Sequence, residues 1–427
     1  MTQLRPFAPP HSLDAGVPLP RRRTHALLGL FAVGLVIPFL DIPAWGISLS
    51  TPVFCFLALD LALGRESLDW RPYGKWIALA GLFWMGQFLS IAGNILSGRL
   101  AEISWQEVLH LARLAYWMTV FVITGALVSR WSLGPWLCKL LGVSLIGLSA
   151  LRLLEALRLD TWGPAKALLY TPNGYGLLFS AFTPFLVWLV VTESGWRRML
   201  YGAGLMVTVF AIAGNGSRSS WAAVVLGVLL VGSLFVLTQP RSIVRISSVA
   251  GAGVAAAFLV TPLVPQDLLQ PVRDRLASLG RLDADKSRAT RGVLLKKAGD
   301  LFFENPVWGV GSGRFRRASV PLEIPAVLHS QNEHGLNQRS AHNAYAGLLA
   351  ESGVAGATPL ALLLLVLVIQ GWLAVWRGAR KGMAWSIPVY AAFLAMSVHL
   401  AALAGLTGAA PWFVYGLVAG VIQREGV

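Results

Sequence analysis

Arg288, Arg291, Arg339 and His342 crowd into one polar stretch of an otherwise apolar chain, and Arg218 stands alone in another. Guanidinium groups carry planar, paired donors that match phosphate oxygens, and they stay charged at any ordinary pH. An imidazole titrates near neutrality, so a neutral His can take a proton from an attacking hydroxyl. These residue types would suit holding a phosphorylated substrate and moving a group from it. Each also has a plainer use. A lone His more often serves structure than chemistry. Two Arg near a helix start can form surface ion pairs, and Arg218 can snorkel from a helix end. Runs of mixed sign, such as Arg273-Asp-Arg275 and Arg281-Leu-Asp-Ala-Asp-Lys286, read as solvated helix faces.

The polar stretch runs from about Pro265 to Ser340 and holds twelve Lys or Arg residues. Within it Val293, Leu294, Ala298, Leu301 and Phe302 recur at helical spacing, which predicts an amphipathic helix with Arg288 and Arg291 near its start. Cations there oppose the helix dipole unless an anion sits between them. The following Asn305-Pro-Val-Trp-Gly-Val-Gly-Ser-Gly313 lacks the Gly-Lys-Ser/Thr ending of a nucleotide loop, and its Pro and Gly residues predict a turn. Ala341-His-Asn-Ala-Tyr345 then leads back into apolar sequence. Helical spacing would put His342, Tyr345, Leu349 and Gly353 on one face, with Glu351 on another flank. No partner acid follows from spacing, so no Ser/His/Asp arrangement is assigned. His329, His334 and His342 are too loosely spaced, with no Cys nearby, for a metal cluster. Elsewhere, Arg218 is the only charge between Arg198 and Arg241. Charges so placed are costly and tend to be functional. Asn173, in Thr171-Pro-Asn-Gly-Tyr175, is available as an anchor or a helix cap.

What must position these residues is a membrane bundle. The chain is 56% hydrophobic, 13% charged and has 17 Trp. A membrane helix needs roughly 20 apolar residues. Twelve stretches come near that length: about 26–43, 46–63, 76–95, 108–128, 132–151, 174–192, 199–214, 219–237, 246–264, 354–376, 384–405 and 408–423. The reading is an all-α polytopic protein. It has a cytoplasmic N-terminal tail (1–25), nine spans (26–264), a periplasmic loop domain (265–353), then three spans and a short cytoplasmic C-terminus (354–427). Alternate connections are short and basic, from Arg21-Arg22-Arg23 to Arg377, Arg380 and Lys381, so both termini are expected inside and the long loop outside. The connection around Arg152, Arg158 and Lys166 fits this pattern less well. No cleavage site follows the first apolar run, so no signal peptide is assigned. Cys55 and Cys138 fall in different spans, which implies no disulfide framework. The net charge of +15 does not require nucleic acid, because about half of the cations are topology signals.

Ser217-Arg218 between two spans, Arg291 ahead of Asn305-Pro306 and Gly309-Val-Gly311, and His342-Asn343 followed by Glu351-Ser-Gly353 together resemble the O-antigen ligases. Thr171-Pro-Asn-Gly-Tyr175 and the twelve-span layout fit the same superfamily, which includes O-antigen polymerases and bacterial protein O-oligosaccharyltransferases. The resemblance implies a GT-C-like fold in the bacterial inner membrane. It implies a metal-independent, inverting transfer of glycan from undecaprenyl diphosphate to the lipid A–core oligosaccharide at the periplasmic face, without a cofactor. Its partners would be those two substrates and membrane lipids. Arg218 and Arg291 would hold the donor diphosphate and His342 would activate the acceptor hydroxyl. Arg288 joins the donor set from its position, and Arg339, Asn343 and Asn173 are further candidates. Leu295 stands where the family often has Trp, a departure that bears on packing. The polymerase would elongate a lipid-linked glycan instead. The protein oligosaccharyltransferase usually carries a C-terminal periplasmic domain, whereas this chain ends about four residues after its last span. From another class, a lipid-linked glycan flippase would line its path with charge, and Arg113, Lys139 and Arg152 keep that reading open.

Overall fold

Backbone groups in lipid must bond within their own segment, and in a computed structural model of the chain each of the twelve apolar stretches carries a helix among its described residues. The structure describes residues 22–37, 41–42, 47–48, 50–63, 70–100, 102–131, 133–156, 172–260, 286–328, 330–403 and 408–427, with isolated positions at 270, 273, 277 and 406. Most of the N-terminal tail lies outside these residues. So do Arg158, Lys166, Thr171 and most of the mixed-charge stretch before Lys286. Among the described helices six are long and apolar enough to cross a membrane: Arg71–Leu96, Trp105–Arg130, Gly134–Glu155, Pro172–Thr192, Arg218–Thr238 and Ala344–Arg380. The chain is a multi-pass membrane protein. Apart from a two-residue antiparallel pairing of Asp41–Ile42 with Ile47–Ser48, the described residues form no strand.

The helix Pro172–Thr192 is the axis of the bundle. Every residue from Tyr175 to Val191 is buried, as expected for a helix that is apolar on all sides and enclosed by others. The helix Ala409–Glu425 lies against Trp105–Arg130, and small residues set how closely they approach. A side chain at Gly416 would meet the Phe121 carbonyl at 2.6 Å, and one at Gly420 would meet that of Gly125 at 2.9 Å. Without a hydrophobic drive between helices in lipid, such close backbone packing is a main source of cohesion.

The polar stretch carries the expected amphipathic helix, Lys286–Glu304, which buries Val293, Leu294, Ala298 and Leu301. Ala298 and Leu301 join Phe315, Val320, Ala341 and Ala350 in a small core separate from that of the bundle. The helix that follows the loop, Ala344–Arg380, differs from the expected continuous face. His342 precedes it with a left-handed φ of 49°, and Gly353 breaks it at φ 57°, ψ −163°. His342 and Gly353 are therefore not on one helical face. The break has a definite partner. Val310 and Gly311 donate to the carbonyls of Ala350 and Glu351 (3.0 and 2.9 Å), and Val354 and Ala355 donate to those of Pro306 and Val307 (2.8 and 3.1 Å). The glycine turn thus satisfies the backbone groups that the break exposes, and Gly309, Gly311 and Gly313 supply the positive φ it needs (67°, 104° and 79°).

Gly353→Ala should abolish folding to a single species. A Cβ there would lie 2.4 Å from the Val307 carbonyl oxygen, in a backbone region that fits glycine almost alone. Size-exclusion of the tagged variant in mild detergent should lose the monodisperse peak that Gly347→Ala retains, since a Cβ at Gly347 meets only a side-chain methyl at 3.2 Å.

Candidate active site

Four segments meet at one end of the bundle. The turn before Arg218–Thr238 is fastened to the start of Pro172–Thr192. Asn215 Nδ2 donates to the Pro172 carbonyl at 2.6 Å, and Ser217 Oγ donates to Asn173 Oδ1 at 2.8 Å. Asn173 is thus an anchor within the first helical turn, not a cap. His399, near the end of Ser386–Leu400, brings its Nε2 to 3.1 Å from the Asn173 carbonyl. Tyr345 Oη donates to the Ser397 carbonyl at 2.8 Å and so ties the returning loop to the same helix. Asn343 caps the broken helix, its Oδ1 accepting from the N–H groups of Tyr345 and Ala346 at 3.1 and 3.0 Å.

In the arrangement these anchors hold, the charge of Arg218 acts on Arg291, and the charges of Arg291 and Arg339 act on His342. Burial, and then the charge of Arg218, hold the Arg291 guanidinium below its ordinary value. Burial lowers the proton affinity of His342, and the charges of Arg291 and Arg339 lower it further. His342 Nδ1 is buried without a hydrogen-bond partner. Like charges gathered in a partly dry place repel, and among the described residues no carboxylate forms an ion pair with Arg291 or Arg339. Among the described residues, Glu323 and Glu107 are paired with other cations. Lys296 pairs with Glu323 at 2.6 Å, while Arg314 and Arg317 pair with the buried Glu107. The cluster can therefore receive an anion. Arg288 lies about one turn before Arg291 on an exposed position, and the cations that act on His342 are Arg291 and Arg339.

Lys297 fixes the geometry from behind. It is fully buried, donates to the Asn337 carbonyl at 2.6 Å and lies 4.7 Å over the Phe315 ring. Burial brings its ammonium down to about 8. Asn337 in turn exchanges hydrogen bonds with the backbone of Val320. The helix that bears Arg291 is thereby held to the segment that bears Arg339.

The chain on either side of His342 walls a cavity of ≈ 380 Å³. Ser340, Ala341 and Asn343 form one side, with Phe83 and His110 of the bundle and Phe315, Arg316 and Glu351 on the others. Glu351 accepts the Phe315 N–H at 2.9 Å, which pins the glycine turn to the broken helix. Aromatic surface beside His, Asn, Arg and carboxylate groups suits a hydroxyl-rich ligand such as a sugar. Type and spacing alone do not single out His399, Lys297 or the bundle residues of the cavity. A His in an apolar stretch is itself a signal, and His399 could be found on that ground.

Of the three in-span cations that keep a transport path open as a reading, two are paired. Lys139 meets Glu193 at 2.9 Å and Arg152 meets Glu155 at 2.7 Å. Among the described residues no group of three His, Cys, Asp or Glu side chains could hold a metal ion.

A family model described as O-antigen ligase matches residues 203–361. The matched region starts in the helix before Arg218 and ends past Gly353, so it holds every cation of the cluster, together with His342. Comparison with curated proteins gives no match.

Proposed function

We propose, for a chain whose residues 203–361 match the O-antigen ligase family model, that it transfers a glycan from undecaprenyl diphosphate to a lipid A–core oligosaccharide in lipopolysaccharide biosynthesis. The observation that carries this is the meeting of Arg218, Arg291 and Arg339 beside a half-buried His342. In this reading the chain lies in the bacterial inner membrane with twelve spans and both termini cytoplasmic, and the cluster opens to the periplasm.

The donor diphosphate binds Arg218 and Arg291, with Arg288 and Arg339 at its edge. The bond between the anomeric carbon and the diphosphate oxygen breaks, and its electron pair leaves on that oxygen. The guanidinium groups stabilise the charge that builds there. An acceptor sugar seated in the neighbouring cavity attacks the opposite face of that carbon, so configuration inverts. Its hydroxyl proton passes to the neutral imidazole of His342. The leaving diphosphate stores the energy, so the transfer draws on no nucleotide.

Purified protein in nanodiscs, given undecaprenyl-diphosphate glycan and a lipid A–core acceptor, should produce glycosylated acceptor and free undecaprenyl diphosphate. Longer glycans on undecaprenyl diphosphate with bare acceptor would mean a polymerase. Movement of donor between leaflets without bond cleavage would mean a flippase.

A further inference from the structure

The turn at 305–309 sits lower than its polar surroundings suggest. The Trp308 carbonyl accepts from Ser90 Oγ at 2.6 Å, and Asn94 Nδ2 donates to the Gly309 carbonyl at 3.0 Å. Ser90 and Asn94 belong to the apolar helix Arg71–Leu96 and lie six and two residues before its end. On the other side, Pro306 and Val307 bond directly to Val354 and Ala355. Those two residues open the apolar run of the broken helix, whose outward side chains Leu362, Leu365 and Ile369 face away from the protein. The turn is therefore inserted between two membrane helices, below the point where one of them ends.

At that level the surface is apolar and bare. Phe303 is 78% exposed, Val307 52%, Val354 50% and Leu96 88%. A phenyl ring so exposed at the foot of a loop helix is unfavourable in water, because apolar surface is stabilised by leaving it. Val307 and Val354 lie on the two segments paired by the hydrogen bonds just described, and the exposed Leu362, Leu365 and Ile369 follow Val354 along the broken helix. Lys296 pairs with Glu323 and Lys297 is buried, while Glu304 beside Phe303 is exposed.

We infer that Phe303 and Val307 form a lipid-contacting foot, so that the loop helix Lys286–Glu304 stands with its lower end in the acyl-chain boundary of the bilayer. Twelve residues separate Phe303 from Arg291. At 1.5 Å per residue, Arg291 is then at most ~18 Å above lipid contact. The foot sets the height of the anion cluster against the membrane surface, and this holds whether the bound anion is a donor diphosphate or something else.

The test uses the full chain in lipid nanodiscs, with Cys55 and Cys138 replaced by Ala and single Cys residues introduced at Phe303, Val307, Glu304 and Val354. Each is nitroxide-labelled, and its relaxation is measured with oxygen, which partitions into lipid, and with a water-soluble nickel chelate. Labels at 303 and 307 should match the label at 354, with oxygen dominant, while the label at 304 should favour the chelate. Chelate dominance at 303 and 307 would place the turn in water and overturn the inference. Inaccessibility to both reagents would mean that protein covers the patch, with the same result. The glycan-transfer assay is independent of these readouts, so the foot and the reaction can fail separately.

Discussion

His342→Ala should slow glycan transfer by about 10²–10⁴-fold while the protein still inserts and still binds the lipid-linked donor. Donor binding rests on the arginines, which the substitution leaves in place, whereas the imidazole acts on the acceptor hydroxyl. Such a loss equals about 2.7–5.5 kcal/mol of transition-state stabilisation at 1.36 kcal/mol per factor of ten. His342→Gly separates chemistry from folding. A φ of 49° is uncommon for any residue but Gly, although His, Asn and Asp adopt it more often than others, and strain of this kind costs of order 1–3 kcal/mol. Glycine relieves that strain, so this variant should remain folded by size-exclusion yet be as inactive as the alanine. The pH profile carries the same assignment. Only the neutral imidazole can take a proton, and burial with Arg291 and Arg339 sets its proton affinity below the ordinary value of 6.5. Transfer should therefore hold as pH falls through 6.5 and decline only at more acidic pH, as the lowered value is crossed. Normal turnover by the alanine variant, or an acid limb above 6.5, would leave His342 a structural residue at the head of its helix.

Local signals make much of this molecule legible in its sequence, and tertiary bonds account for the rest. The helix over Lys286–Glu304 is legible because Val293, Leu294, Ala298 and Leu301 repeat at helical spacing, and the turn at 305–313 because Pro306 and three glycines allow little else. Apolar length locates the membrane helices for the same reason. The break at Gly353 is not legible. Periodicity continues through it, and what makes it stable is a set of hydrogen bonds to the turn at 306–311, far back in the chain. Lys297 is likewise hidden, because it sits among charged loop residues and only the fold shows it fully buried against Asn337. At the site, Arg218, Arg291 and His342 stand out as types and the structure draws them together, with Arg339 among them. Asn173 reads equally as an anchor or a cap, and the bond from Ser217 decides for the anchor. Glu351 can be seen in the sequence, but its hold on the Phe315 backbone depends on how two distant segments pack.

Replacing Arg291 by Lys should reduce transfer by about ten- to a hundredfold, and Arg218→Lys should do much the same. A single point charge loses the paired, planar contact to the diphosphate, worth about 1.5–3 kcal/mol for a charge-assisted hydrogen bond. Arg291→Lys should also acquire a pH dependence that the native protein lacks. The position is partly buried and faces the charge of Arg218, and both effects disfavour a cation. A guanidinium withstands this because its ordinary value lies far above the working range, but an ammonium starts lower and can be brought down into that range, as Lys297 at about 8 illustrates on the same helix. Transfer by the Arg291→Lys variant should thus fall further as pH rises from 7 to 9, with the loss appearing in KM for the donor as well as in kcat. Arg99→Lys supplies the comparison. Arg99 is exposed and belongs to neither the cation cluster nor the cavity wall, so its replacement should add no alkaline loss. Equal pH profiles for the Arg291→Lys variant and the native protein would mean that Arg291 meets no desolvated anion during the reaction. The diphosphate would then have to bind elsewhere in the cluster.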